Sequence, residues 1–379
     1  IMSEIKVNSI KGVGASTAAI TVDNTAGTCT ANITNNLSNR SFIINGAFQI
    51  NQRGSVTMGS SSAYTLDRWR AACGSSFNWD SAVVSQSTTS PDGFSNSLKV
   101  DIANTETPTA GQNALVQQKI EAQNLQSLAF GTSNAEQCTL SFHVRSNKTG
   151  TYCVQVTQAD ASKYVLFEYS ISSADTWEKK TITISGNTAD VIANDNGGGF
   201  EVNWHLACHS DDHVAATTSW ASSGGFKATS NQVNLFDNAS NEWYLAGVQL
   251  EVGSVATDFE HRSYGQELAL CQRYYFKFLE GNNKEIGAAW YYTASHASFF
   301  FRFPVPMRAV PTGTDTTGTN YYTIYRNGGS DGLDSVAFEN GSTEQFSAFN
   351  SSEASGTAGQ CGLIRATNAS AKIEFSAEI

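Results

Sequence analysis

Along most of the chain, short apolar runs alternate with polar residues. In TLSFHVRS, Thr139 to Ser146, the residues Leu140, Phe142 and Val144 fall on one face, with Ser141, His143 and Arg145 on the other. This period of two marks a strand with one buried face. FIINGAFQI, LKVDI, TYCVQVTQ, YVLFEYSI, KKTITIS, FEVNWHLAC and EWYLAGVQLEV repeat such runs at short intervals. With no helical periods between them they predict two packed antiparallel sheets, a jelly-roll sandwich over 41–263. NKTG at Asn147 to Gly150 reads as the turn of a hairpin leading into the next strand.

The pattern changes at both ends of this region. Residues 1–40 hold only scattered small apolar residues, among them Ile5, Val7, Ile10, Ile20 and Val22, separated by GVGAS and DNTAGT. The alternation Ile20-Thr21-Val22 suggests a strand, yet nothing here closes a core alone, so pairing with another copy or a larger particle is implied. The composition fits a disordered leader as well. At Gly265 to Arg273, GQELALCQR sets Leu268 and Cys271 three apart, predicting a connector helix over 264–271. Beyond it RYYFKF, AAWYYTA, SFFFRFPVP, YYTIY and KIEFSAEI alternate with glycine-rich turns (NGGSDG, ENGST, SGTAGQCG). Residues 272–379 thus read as a smaller C-terminal β-sandwich domain, with Pro304, Pro306 and Pro311 kept out of central strands.

Composition sharpens this picture. Among 379 residues, 40% are hydrophobic and 15% charged, the balance of an all-β chain with polar turns. The net charge of −11 argues against nucleic acid, whose binding rests on Lys and Arg neutralising phosphates. No run approaches the ~20 apolar residues of a membrane-spanning helix, and IMSEIKVNSI has neither a basic leader nor a long apolar core. The seven cysteines include no CxxC pair, which disfavours zinc and redox motifs and suggests mostly buried thiols kept reduced.

IINGAFQINQRG, YTLDRW at Tyr64 to Trp69 and YLAGVQLEVGSVATDFEHRSYGQELALCQRYY at Tyr244 to Tyr275, together with FPVPMRAVPT and the terminal FSAEI, follow one another in a specific order. The set resembles bacteriophage tail-fibre and related virion appendage proteins, in which an NGxF strand opens a carbohydrate-binding-module-like jelly roll and a vQLExGxxATxFexRs segment closes it. The resemblance implies a non-enzymatic virion structural protein that contacts host surface glycan. It also implies a homotrimer, held to phage tail or capsid proteins through residues 1–40. A purely architectural decoration or tail protein, and a polysaccharide depolymerase, are the alternatives. The chain shows neither a GxSxG elbow nor a β-helix period.

The motif residues read mainly as scaffold. Asn45-Gly46 suits a tight bend, and Gly46 and Gly253 occupy places that a Cβ would obstruct. Trp69 is a core aromatic, with Asp67 and Arg68 meeting at a sheet rim. Glu251 and Glu260 recur in the family as scaffold, and no catalytic residue is assigned. Related modules hold a structural calcium on their opening and closing strands. The corresponding Ala47, Gln49, Ala246 and Gly247 offer no carboxylate, so no cofactor is assigned, and a structural calcium stays open only elsewhere, as at ANDNGGG (Ala193 to Gly199), which turn formation explains equally well. In WHLACHSDDH a strand would set His205 and His209 on one side ~13 Å apart, too far for one metal, and as solvent-facing residues. Sugar recognition needs flat aromatic faces with polar partners nearby. Trp79 in SSFNWD and Trp220 in TTSWASSGG, both among turn residues, are the carbohydrate-binding candidates.

Overall fold

A computed structural model describes residues 9–10, 20–22, 29–31, 39–222 and 225–379. Ser9–Ile10, Ile20–Val22 and Cys29–Ala31 form a three-stranded antiparallel sheet, in which Thr21 lies opposite both Ser9 and Thr30. The strand expected at Ile20 to Val22 is present. Most of the expected attachment segment, 1–40, lies outside the described residues.

The jelly roll is built from two antiparallel sheets. One has six strands, in the order Glu178–Ile184, Cys138–Ser146, Glu242–Val252, Ser97–Asp101, Val83–Ser87 and Val56–Thr57. The other has seven: Thr217–Ser222, Lys163–Ile171, Gly150–Gln158, Gly198–Cys208, Asn113–Glu121, Arg70–Gly74 and Ala63–Tyr64. Leu140, Phe142 and Val144 from the first sheet face Val154, Val156, Val202 and Trp204 from the second, all fully buried in one core. Tilted and edge-on rings run through its centre, with Trp69 5.6 Å from Trp204 and Trp204 5.7 Å from Phe142. Such pairs stabilise beyond their burial.

The expected hairpin at Asn147 to Gly150 is not one. Cys138–Ser146 pairs with Glu178–Ile184 and Glu242–Val252, whereas Gly150–Gln158 pairs with Lys163–Ile171 and Gly198–Cys208 in the opposite sheet. The turn carries the chain across the sandwich. Both strands have an apolar face, and facing each other across the core buries both.

The opening bend is tight. Asn45 has φ of 58°, and a Cβ on Gly46 would lie 2.0 Å from the Val248 carbonyl oxygen. Gly253 has open space around it, and its φ of +110° is what requires glycine. Trp69 is in the core as expected, but Asp67 and Arg68 do not meet at a rim. Both are buried: Asp67 accepts from the Gln52 backbone N–H, and Arg68 pairs with Glu378 near the far end of the chain. Burial pushes the Asp67 carboxyl up, against the Gln52 hydrogen bonds that favour its ionised form.

The predicted helix is Tyr264–Gln272, opened by a capping box in which the Ser263 hydroxyl accepts from the Gln266 N–H and the Gln266 side chain accepts from the Ser263 N–H. Its Leu268, Leu270 and Cys271 pack with Ile44, Ile50 and Tyr274 into a small cluster at the seam. After it a three-stranded sheet (Tyr275–Glu280, Lys372–Ser376, Thr312–Asp315) packs with a seven-stranded one. The latter runs Gly329–Leu333, Tyr322–Arg326, Cys361–Ala366, Lys284–Thr293, His296–Arg302, Gln345–Asn350 and Ala337–Glu339. Their core of Phe299, Phe301, Ile324, Ile364 and Phe375 is separate from the first. All three prolines fall between Arg302 and Thr312, outside any strand. The C-terminal sandwich ties back to the jelly roll: Tyr64 donates to the Ile379 carbonyl at 2.7 Å, and Arg273 forms a bidentate pair with Glu121 at 2.9 Å.

The six cysteines whose side chains are described are free thiols, but they are not mostly buried: Cys138, Cys153 and Cys271 are, Cys73 and Cys208 are half-buried, and Cys361 is exposed. Burial pushes the Cys138 thiol up to about 12.

Candidate functional site

Of the two tryptophans chosen from the sequence, Trp79 presents no face to solvent. Trp79 is fully buried, edge-on to Phe236 at 5.4 Å, and with Phe77 it plugs one region of the sandwich core. The turn residues around it, with Asp80 and Ser81 at positive φ, fold the indole inward and do not display it. Trp220 is half-buried. Its ring rests against Phe130 and Phe200, and its indole N–H donates to the Ser185 carbonyl at 2.8 Å.

The two scaffold glutamates are fully occupied. Glu251 accepts from the Thr257 hydroxyl at 2.6 Å, the Thr257 N–H at 2.9 Å and the Gln249 amide at 2.8 Å. Glu260 accepts from three consecutive backbone N–H groups, those of Asn39, Arg40 and Ser41. Neither carboxylate is presented to a substrate as a paired acid and base.

His205 corrects a second expectation. It is fully buried, and its Nε2 lies 3.4 Å from Gln155 Oε1. Burial pulls its pKa down to about 3. His209 instead caps the turn Ser210–Asp212, its Nδ1 accepting from the Asp211 N–H at 3.3 Å. Among the described residues no three His, Cys, Asp or Glu side chains gather to hold a metal ion. Gly247 has φ of +57° and packs under the Phe94 ring.

The polar face of the seven-stranded jelly-roll sheet is roofed. Register aligns Arg70, Gln117, Asn203 and Gln155 across four strands. Arg70 donates to Gln117 at 2.6 Å and Gln117 to Asn203 at 2.8 Å, while Gln155 accepts the Lys227 N–H at 3.0 Å. Ala228 closes over Cys153, Tyr164 and Leu166. A cavity of about 800 Å³ lies at the seam, lined by Arg40, Glu260, Arg262, Arg273 and Val305 among others. Its polar groups are engaged in the scaffold: Arg262 donates to the Ser41 carbonyl at 2.7 Å, and Arg273 is held by Glu121.

Exposed aromatic surface gathers elsewhere, on the outer face of the C-terminal seven-stranded sheet. Tyr292 is 74% exposed, Phe300 50%, Tyr325 41% and Trp290 37%. The cause is alternation, with a β-bulge at Tyr292. Tyr291 between Trp290 and Tyr292, and Phe299 and Phe301 on either side of Phe300, point into the core. Pairing of Tyr325 with Leu363, and of Leu363 with Ala288, places Tyr325 on the same face as Trp290 two residues on. The Trp290 and Phe300 rings lie 6.4 Å apart. At one end, Trp290, Tyr292, His296, Ser298, Glu339 and Ser351 line a cleft of about 460 Å³. The face combines flat apolar rings with carboxylate, hydroxyl and imidazole groups.

No protein-family model and no curated protein sequence matches the chain. Solved structures similar to it include the enzymatically active domain of tailspike protein 4 of bacteriophage CBA120, at 15% identity over 56% of this chain and 21% of that one, with a TM-score of 0.29. The chain thus spans about a fifth of that domain's length. A sugar-binding protein of Bacteroides thetaiotaomicron is 14% identical over 56% of this chain and 100% of that one, with a TM-score of 0.34. TmCBM61, solved with beta-1,4-galactotriose, is 10% identical over 56% of this chain and 99% of that one, with a TM-score of 0.29. At these scores the likenesses do not bear on function.

Proposed function

We propose that the chain is a non-enzymatic structural subunit of a bacteriophage virion appendage, a tail fibre or similar, and that it contacts host surface glycan through the outer face of its C-terminal sheet. The observation that carries the glycan reading is the set of four exposed aromatic side chains on that one face. Ring faces match the CH surfaces of pyranoses, and isolated exposed aromatics are ordinary whereas a contiguous set marks a contact surface. The virion reading rests on the ordered opening and closing motifs of the jelly roll. The non-enzymatic reading is supported by Glu251 and Glu260, whose oxygens hold the closing segment together. In this reading residues 1–40 attach the subunit to tail or capsid proteins, and cyclic packing of three copies gives a homotrimer.

The test is binding of the full chain to purified host surface polysaccharide, with Trp290→Ala/Phe300→Ala as the variant. Loss of binding with an unchanged melting temperature is the expected result. Retained binding, or release of reducing sugar by the wild-type chain, overturns the reading.

A further inference from the structure

We infer that the cleft beside Trp290 is a subsite for a terminal uncharged hexopyranose and that it discriminates against acidic sugars. The inference rests on the glycan reading above and assigns it a position and a specificity. Trp290 and Tyr292 both line the cleft, with Tyr292 at a bulge in the pairing of Lys284–Thr293 with His296–Arg302. Two aromatic side chains on one cleft suit a sugar ring laid against them. His296 is held flat, stacked on Phe349 at 5.0 Å with 6° between planes and edge-on to Tyr292 at 5.9 Å. It thereby walls one side. Ser298 sits opposite Trp290 in the strand register. Glu339, from the edge strand Ala337–Glu339, closes the other side with Ser351.

The polar complement decides the charge of the ligand. Glu339 is exposed, and among the described residues it has no ion-pair partner and no side-chain hydrogen bond. A carboxylate accepts from hydroxyls in short, charge-assisted bonds, so a vicinal diol of a neutral sugar suits it. No Lys or Arg lines the cleft, and the chain as a whole carries −11. A uronic or sialic acid would bring a second carboxylate beside Glu339 with no cation between them, a like-charge contact that opposes binding. The volume of about 460 Å³ lies within the roughly 300–1,000 Å³ range of small-ligand sites.

The experiment is saturation-transfer NMR on the full chain, with the methyl glycosides of glucose, galactose, mannose and N-acetylglucosamine as probes. Glucuronic acid and N-acetylneuraminic acid serve as acidic counterparts. At least one neutral glycoside is expected to bind. Tyr292→Ala and Glu339→Gln should each weaken it about tenfold, the size of one lost stacking or charge-assisted contact, without altering the melting temperature. Equal binding of an acidic sugar, or neutral-glycoside binding untouched by both variants, overturns the inference. The two levels separate on host polysaccharide: binding that survives Tyr292→Ala and Glu339→Gln but fails in Trp290→Ala/Phe300→Ala sinks the subsite and keeps the glycan reading. Wild-type chain that binds no polysaccharide sinks both. If the aromatic variants instead dissociate an oligomer in sedimentation, the face is an interface between copies, and the subsite is overturned.

Discussion

Replacing Glu378 with Ala tests how the C-terminal sandwich is fastened to the jelly roll. The Glu378 carboxylate meets Arg68, whose side chain is 1% exposed, and Arg53, which it contacts at 2.8 Å. Arg68 has two other neighbours: the Lys119 carbonyl, and the Tyr274 ring 3.5 Å below its guanidinium carbon. Neither neutralises its charge. Removing the carboxylate leaves a buried cation uncompensated, which costs about 3–5 kcal/mol, a large part of the roughly 5–15 kcal/mol that holds a typical domain folded. Denaturant unfolding of the full chain, followed by tryptophan fluorescence, should show the midpoint falling accordingly. The double variant Arg68→Met/Glu378→Leu should recover most of that loss, because it removes both desolvation penalties and keeps the volume. A single-variant loss below about 1 kcal/mol, or a double variant no better than the single, refutes the reasoning.

Gly46→Ala should lower stability by at least about 1–3 kcal/mol, read as melting temperature, since its Cβ would lie 2.0 Å from a backbone oxygen that cannot swing away. His205 gives a pH signature. Its unfolded form takes a proton below about pH 6.5, whereas the folded form resists until about 3, so its contribution is complete above 6.5 and is lost as pH falls through that window. The slope reaches about 1.4 kcal/mol per pH unit, and His205→Gln should flatten it in a series of unfolding midpoints; an unchanged slope refutes the assignment. Trp79→Ala should cost about 3–5 kcal/mol in unfolding free energy while the folded fraction binds polysaccharide as the wild type does, and a selective loss of binding would restore Trp79 as a contact residue.

The architecture was legible where one-sided alternation ran long enough, as in TLSFHVRS, or where apolar residues stood three apart, as Leu268 and Cys271 do. Strand partners were not. NKTG has hairpin chemistry, yet whether a turn reverses within a sheet or crosses between sheets depends on where the facing apolar surface lies, and that is non-local. The misplacing of Trp79 has a similar cause. Polar neighbours in SSFNWD made Trp79 look exposed, but the loop between Gly74 and Val83 is enough to aim one large ring inward. Conversely AAWYYTA and SFFFRF are aromatic-rich, and none of their residues is among the contact candidates taken from the sequence. A strand in a two-layer sandwich has only one inner face, so every second aromatic in those runs had to emerge on the outside. That signal was in the sequence. Arg68 and Glu378 carried none, being partners 310 residues apart.

The three N–H groups gathered by Glu260 also fix how the subunit bears tension. Asn39, where the described chain resumes, is clasped to the segment that leaves the jelly roll just before Ser263. Arg262 adds bonds to the Ser41 and Ile43 carbonyls at 2.7 and 3.1 Å. A pull applied between the N-terminal segment and the C-terminal sandwich is therefore carried across this clasp and bypasses the sheets. The jelly roll hangs beside the load path, and its strands are not the links that must hold when the two ends are drawn apart.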